Sequence, residues 1–191
     1  MLAEYQMTLP PQSLATADGP TKEVLQKALK QVGFIPNMYA NMVHSPALLN
    51  TYLDGYAAFR KESGFTPAEQ EVVFLAISRE NGCEYCVSAH SFIADAMSGV
   101  PVDVTGAIRD GRPIPDAKLQ ALAEFTRVMV ASRGLPDRKQ TGAFLSAGYG
   151  ERQILEIVLA IAVKTLSNYT NHLFHTPLDA NFEGRRWTDP R

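Results

Sequence analysis

Thr66-Pro67-Ala68-Glu69 constrains this chain more than any other four residues. A threonine can accept from the backbone three residues on, the glutamate there can reach back, and the proline suits a first helical turn. Together they specify a helix start. The helix they open carries Val72, Val73, Leu75, Ala76 and Ile77 and should stop near Asn81-Gly82. Glu71 falls in its second turn, among apolar neighbours.

The same punctuation organises the rest. Thr21 to Val32 places Val24, Leu25, Ala28, Leu29 and Val32 on one stripe, and Gly33 and Pro36 end it. A short helix is expected over Asn37 to Val43. Ser45-Pro46 pairs an N-cap with a proline at the first helical position and opens a helix to about Glu62. Further helices are expected from Cys83 to Met97, Val102 to Arg109, Asp116 to Ser132, Pro136 to Leu145 and Glu151 to Phe174. Residues 1–19 contain Pro10, Pro11 and Gly19 without helical period and read as an extended arm. The tail from Pro177 to Arg191 reads as irregular. No segment alternates as a strand does, so the chain is expected to be all-α.

At 191 residues, with 46% hydrophobic and 20% charged, residues 1–191 fit a single domain. A net charge of −2 gives no reason to expect nucleic acid or an anionic membrane as partner. The longest apolar stretch, Ile154 to Val163, is broken by Glu156 and is too short to span a bilayer. The N-terminus lacks the basic and then apolar segments of a secretory signal. Two cysteines cannot make the disulfide framework of a small secreted fold, so a cytoplasmic protein is expected.

Those cysteines, Cys83 and Cys86, form a Cys-x-x-Cys pair, with His90 four residues after the second and Glu71 twelve before the first. On a helix turning ~100° per residue, positions 83, 86 and 90 share a face within roughly 60°. Three readings are open. In the redox reading, the helix start favours a thiolate, the thiols can close a disulfide, His90 can take the proton of Cys86, and Glu71 can orient the imidazole. One sulfur then attacks an O–O bond to give a sulfenic acid, and the other condenses with it. In a zinc reading, Cys83, Cys86, His90 and Glu71 are the ligands. Structural zinc sites, however, usually draw on two separated pairs, so no metal is expected. In a purely structural reading the cysteines are small core residues.

Other polar residues carry less. His44 reads as a loop or capping residue, Glu80 as solvated, and His172 and His175 as packing or surface residues. Tyr85 points away from the 83/86/90 face of a regular helix.

The second half echoes the first. Glu71 followed by an apolar run aligns with Glu156 and its run, and Asn168-Tyr-Thr-Asn171 stands twelve residues after Glu156, as Cys83-Glu-Tyr-Cys86 stands after Glu71. An internal duplication whose second copy lacks thiols is expected, with residues 151–175 as the degenerate repeat helix and 176–191 as a tail. It brings His172 and His175 near the first site.

Glu71, eleven residues, Cys83-Glu-Tyr-Cys86, three residues and His90 resemble the core motif of the alkylhydroperoxidase D-like proteins of the carboxymuconolactone decarboxylase superfamily, over residues 50–99. The N-terminal part and the stretch from Asn168 to Asp179 resemble longer members called peroxidase-related proteins. The resemblance implies an all-α alkylhydroperoxidase D-like fold, a homo-oligomer, and thiol-dependent reduction of a hydroperoxide. It implies no organic cofactor, with electrons from an external dithiol or thiol protein. By the same resemblance Cys86 attacks the peroxide, Cys83 resolves it, and Glu71 and His90 relay the proton. Tyr85 stands where well-studied members carry a histidine, which shortens the relay. Helix-dipole reasoning alone makes Cys83 the more acidic thiol; a base one turn from Cys86 can outweigh an effect of ~0.3–1 kcal/mol. The alternatives are a lyase acting on a lactone, with His90 and Glu71 as acid and base, and a non-catalytic redox sensor.

Overall fold

The Thr66 capping box forms as the sequence specifies: the threonine hydroxyl accepts from Glu69 N at 3.2 Å, and the Glu69 carboxylate accepts from Thr66 N at 2.9 Å. In the computed structural model, which describes residues 2–191, it opens a helix at the centre of an all-helical fold. The elements are α1 (Gly19–Val32), α2 (Asn37–Met42), α3 (Pro46–Glu62), α4 (Pro67–Glu80), α5 (Glu84–Met97), α6 (Val102–Asp110), α7 (Ala117–Ala131), α8 (Arg138–Ser146) and α9 (Glu151–Phe174), followed by a 3-10 turn at Ala180–Arg185. No strand occurs among the described residues, and none of their helices is long and apolar enough to cross a membrane.

Helix α4 is the axis. Every residue from Glu69 to Ser78 is buried, and α5, α6, α7 and α9 pack around it. A helix apolar on all sides can only be satisfied in that position. The few polar side chains it carries must therefore find partners inside the protein. Between α4 and α5 the chain turns at Gly82, whose φ of 68° lies in the left-handed region open to glycine. Cys83 follows as the N-cap of α5, with extended backbone and no side-chain capping bond.

Several boundaries differ from the sequence expectation. Helix α8 begins at Arg138 because Asp137 and Gln140 form a reciprocal capping box, so Asp137 ends the preceding loop. Likewise Asp116 caps α7 from outside by accepting from Leu119 N. The extended arm gives way to α1 at Gly19, and it is anchored: Ala3 N and Met7 N donate to the last carbonyls of α9, and Gln12 N donates to Ala40 O.

The tail is not simply irregular. Beyond its 3-10 turn, Trp187 is buried, with its backbone N–H donating to Ser88 Oγ at 2.9 Å and its indole N–H to Arg109 O at 3.1 Å. These bonds tie the chain end across α5 and α6. An isolated tryptophan in a polar tail gives no periodic signal, which is why the sequence pattern misses it.

Helices α4 and α9, whose sequences echo each other, pack against one another. Their glutamates fare differently. Glu71 is fully buried, whereas Glu156 is partly exposed and pairs with Arg152 one turn earlier at 3.5 Å.

Candidate active site

Glu71 enters the core from the second turn of α4 and has two partners. Its Oε2 lies 2.8 Å from His90 Nδ1, and its Oε1 accepts from Arg60 Nη2 of α3. The guanidinium is itself held by Tyr56 OH at 2.6 Å and Gln70 Oε1 at 3.1 Å. Burial raises the Glu71 carboxyl, but the His90 and Arg60 contacts outweigh it and hold the group below its ordinary range. An ionised carboxylate only accepts, so His90 Nδ1 carries the proton and Nε2 is the basic nitrogen. Burial and the neighbouring Lys164 charge, acting against Glu71, lower the His90 pKa and keep the imidazole neutral.

Cys86 lies one turn before His90 on α5 and Cys83 is the N-cap of that helix; both are buried free thiols in mutual hydrogen-bond contact. Their acidities diverge. Burial, then the bond and charge shared with Cys86, push Cys83 well above the usual thiol value. Burial acts on Cys86 too, but the Cys83 bond, the Lys164 charge, the adjacent His90 and Ser167 outweigh it and hold it well below. In the hydrogen bond they share, Cys83 is the donor and Cys86 the acceptor. A further donor comes from α9. Asn171 Nδ2 lies 3.3 Å from Cys86 Sγ and 3.8 Å from Cys83 Sγ, and Ser167 Oγ lies 3.9 Å from Cys86 Sγ.

Tyr85 turns from the thiols, as its helix position predicts. Its hydroxyl donates to Asp179 Oδ2 of the tail, while its ring borders the hollow beside Cys86. Burial and the Asp179 carboxylate push this phenol far up, so it stays protonated. His175 caps α9 in left-handed conformation and contacts Ala3 O through Nε2 at 2.7 Å, which makes it an anchor for the arm. His44 does the same with Pro10 O at 2.8 Å. His172 borders the hollow on the Cys83 side.

Two hollows flank the thiol pair. One of about 110 Å³ is bordered by Cys86, His90, Lys164 and tyrosine rings. The other, about 120 Å³, is bordered by Cys83, His172, Asn171 and the tail residue Trp187. Hollows of about 230 and 310 Å³ elsewhere border none of these groups. Among the described residues no three His, Cys, Asp or Glu side chains are placed to hold a metal ion together, because Glu71 faces Arg60 and the far nitrogen of His90.

Residues 46–127 match the carboxymuconolactone decarboxylase family. The fold matches an alkylhydroperoxidase AhpD core protein of Ralstonia eutropha JMP134, a peroxidase-related protein, with a TM-score of 0.77 at 22% identity over 91% of this chain and 93% of that one. The chain has the AhpD-like fold, and its family match lies within residues 46–127. A second neighbour, a peroxidase-related protein of Silicibacter sp. TM1040, gives a TM-score of 0.74 at 19% identity over 94% and 97% of the two chains. The debrominase Bmp8, as a cysteine-to-alanine variant with 2,3,4-tribromopyrrole, gives 0.75 at 17% identity over 94% and 96%. No curated protein matches in sequence.

Sequence reasoning missed Arg60, Asp179, Asn171 and Lys164. For Lys164 a signal exists. Ile157, Ala160, Lys164, Ser167 and Asn171 recur at helical spacing and are all buried, so a lysine stands in register with the apolar stripe of α9.

Proposed function

We propose that this AhpD-like protein is a thiol peroxidase that reduces hydroperoxides through a Cys83/Cys86 dithiol cycle. Cys86 gives its proton to His90 Nε2 and attacks the terminal oxygen of ROOH. The O–O bond breaks, its electron pair leaves with RO⁻, and His90 returns the proton to give ROH and a Cys86 sulfenic acid. Cys83 then displaces water to form the disulfide. An external dithiol or thiol protein restores both thiols, and no organic cofactor takes part.

What supports this reading above all is a pair of adjacent free thiols, each bordering its own hollow, with the Asn171 amide donating to Cys86 Sγ at 3.3 Å. The acidic sulfur has a neutral base beside it, and the less acidic one faces the second hollow, where a reductant can exchange. The test is turnover of tert-butyl hydroperoxide with dithiothreitol. Wild-type protein should consume peroxide catalytically, and Cys86→Ser should not. Activity on a lactone surviving in the double Cys→Ser protein would point to the lyase, and oxidation without turnover to a sensor.

The likeness to Bmp8 supports a second reading with the same electron count. Two thiols and a bromoarene give the arene, bromide, a proton and a disulfide. Bromide release from bromopyrroles without peroxide turnover favours it.

A homo-oligomer is proposed as well, on the exposed Leu155, Val158 and Tyr169 of α9. A monomeric mass in light scattering refutes it.

A further inference from the structure

Lys164 is fully buried on α9, and its Nζ has no hydrogen-bond partner. A buried ammonium is costly unless something compensates it. The face of Phe74 lies 5.7 Å from it, and Cys86 adds a negative charge when that thiol ionises. The nearby Glu71 carboxylate forms its ion pair with Arg60, and no ion pair joins it to Lys164.

The hollow it borders beside Cys86 is otherwise apolar in character. Tyr39, Tyr52, Tyr56 and Tyr85 line it, and each phenol hydroxyl already has a partner: Tyr39 and Tyr52 each other, Tyr56 the Arg60 guanidinium, Tyr85 the Asp179 carboxylate. Among the described residues that border this hollow, Lys164 is the one whose buried side-chain polar atom has no hydrogen-bond partner.

Charge accounting gives that donor a role. Before attack, the thiolate of Cys86 carries the negative charge beside Lys164. As the O–O bond breaks, sulfur becomes the neutral sulfenic acid and the charge passes to the departing RO⁻. The net charge of the pocket is unchanged, so one fixed cation can serve both ends of the step without reorganisation. An anionic substrate would instead add a charge with no counter-ion.

We propose that Lys164 is a catalytic residue that holds the oxygen leaving from the peroxide, and that the tyrosine-lined hollow takes a compact, uncharged organic hydroperoxide. An apolar cavity of about 150 Å³ accepts benzene. The hollow here is about 110 Å³, which fits a small branched alkyl group and not a large fused ring. This inference rests on the peroxidase reading.

The experiment separates thiolate stabilisation from leaving-oxygen stabilisation. Lys164→Met and Lys164→Gln are made in the full chain, with folding checked by circular dichroism. Cys86 alkylation by iodoacetamide reports the thiolate alone. Reduction of tert-butyl hydroperoxide and of peracetic acid reports O–O cleavage with a poor and a good leaving group. Removing one oxyanion donor typically lowers turnover about 100-fold or more. The loss on tert-butyl hydroperoxide should therefore exceed the loss in alkylation at least about tenfold, and should be much smaller with peracetic acid. Equal losses in all three assays, or none, overturn the role of Lys164 while leaving the peroxidase reading standing. Wild-type protein that turns over neither peroxide overturns both. Gln, which keeps a donor without the charge, covers the case in which Met fails to fold; if both variants unfold, Lys164 is structural and the proposal fails.

Discussion

Glu71→Gln removes one charge and changes almost no volume, so its consequences can be worked from the contacts. The carboxylate accepts two charge-assisted hydrogen bonds, from Arg60 and from His90 Nδ1. The glutamine carbonyl can keep one of them. Its amide must face the other donor, leaving either the guanidinium or the imidazole N–H opposed. Losing one such bond costs about 1.5–3 kcal/mol. Opposing a buried donor pushes the total toward the upper end, and partial exposure of Arg60 pulls it back, so about 2–3 kcal/mol is expected. In a domain of this size that lowers Tm by about 4–12 °C.

The pH dependence carries its own sign. The Glu71 pKa is lowered in the folded protein, so its stabilisation is fully present above the unfolded carboxylate value, ~4.3, and is lost as pH falls through the folded value. The Tm gap between wild type and Glu71→Gln should be widest at neutral pH and close on acidification. Activity should fall at least about 100-fold, because His90 can now place its proton on Nε2 and lose its base toward Cys86. Thermal melts from about pH 3.5 to 7.5 and peroxide turnover read both effects. A gap independent of pH, or full activity in a folded Glu71→Gln protein, refutes the Arg60–Glu71–His90 reasoning.

Three further outcomes follow. Cys83→Ala removes the hydrogen bond to Cys86, so the pH midpoint of Cys86 alkylation should move upward; an unchanged midpoint means that Cys83 does not set its acidity. Burial and Lys164 lower the His90 pKa, so the neutral base persists into acid, and the acid limb of kcat/KM should lie below the ordinary ~6.5; a limb above that value contradicts a neutral resting imidazole. Trp187→Ala empties a buried site in the tail and should cost about 3 kcal/mol, or about 6–12 °C in Tm, whereas an unchanged melt means the tail does not hold α5 to α6.

What was legible in the sequence is what local chemistry encodes. The Thr66–Glu69 box, Ser45-Pro46 and the Gly82 turn place α3, α4 and α5 to within a residue or two, since caps act over three or four positions. The Cys83/Cys86/His90 face follows from the same helical period. The groups that set the acidity of Cys86 from outside α5 were not legible. Asn171 meets it from 85 residues away, and Arg60 reaches Glu71 because α3 crosses α4 at one particular point. Such meetings depend on how helices pack, which no single-segment pattern contains. Asn171 appears in the sequence only as the echo of a cysteine, yet in the fold it donates to the thiols themselves. Asp179 lies in a segment without period, so only the folded chain reveals that it anchors Tyr85.

The most direct test is the fate of the two sulfurs. Reduced protein is given one equivalent of tert-butyl hydroperoxide, trapped with dimedone and mapped by mass spectrometry. The proposed cycle predicts an intramolecular Cys83–Cys86 disulfide in wild type and a dimedone adduct on Cys86 in Cys83→Ala. Thiols that survive the peroxide, or an adduct that forms on Cys83 in Cys86→Ala at the wild-type rate of thiol oxidation, contradict it.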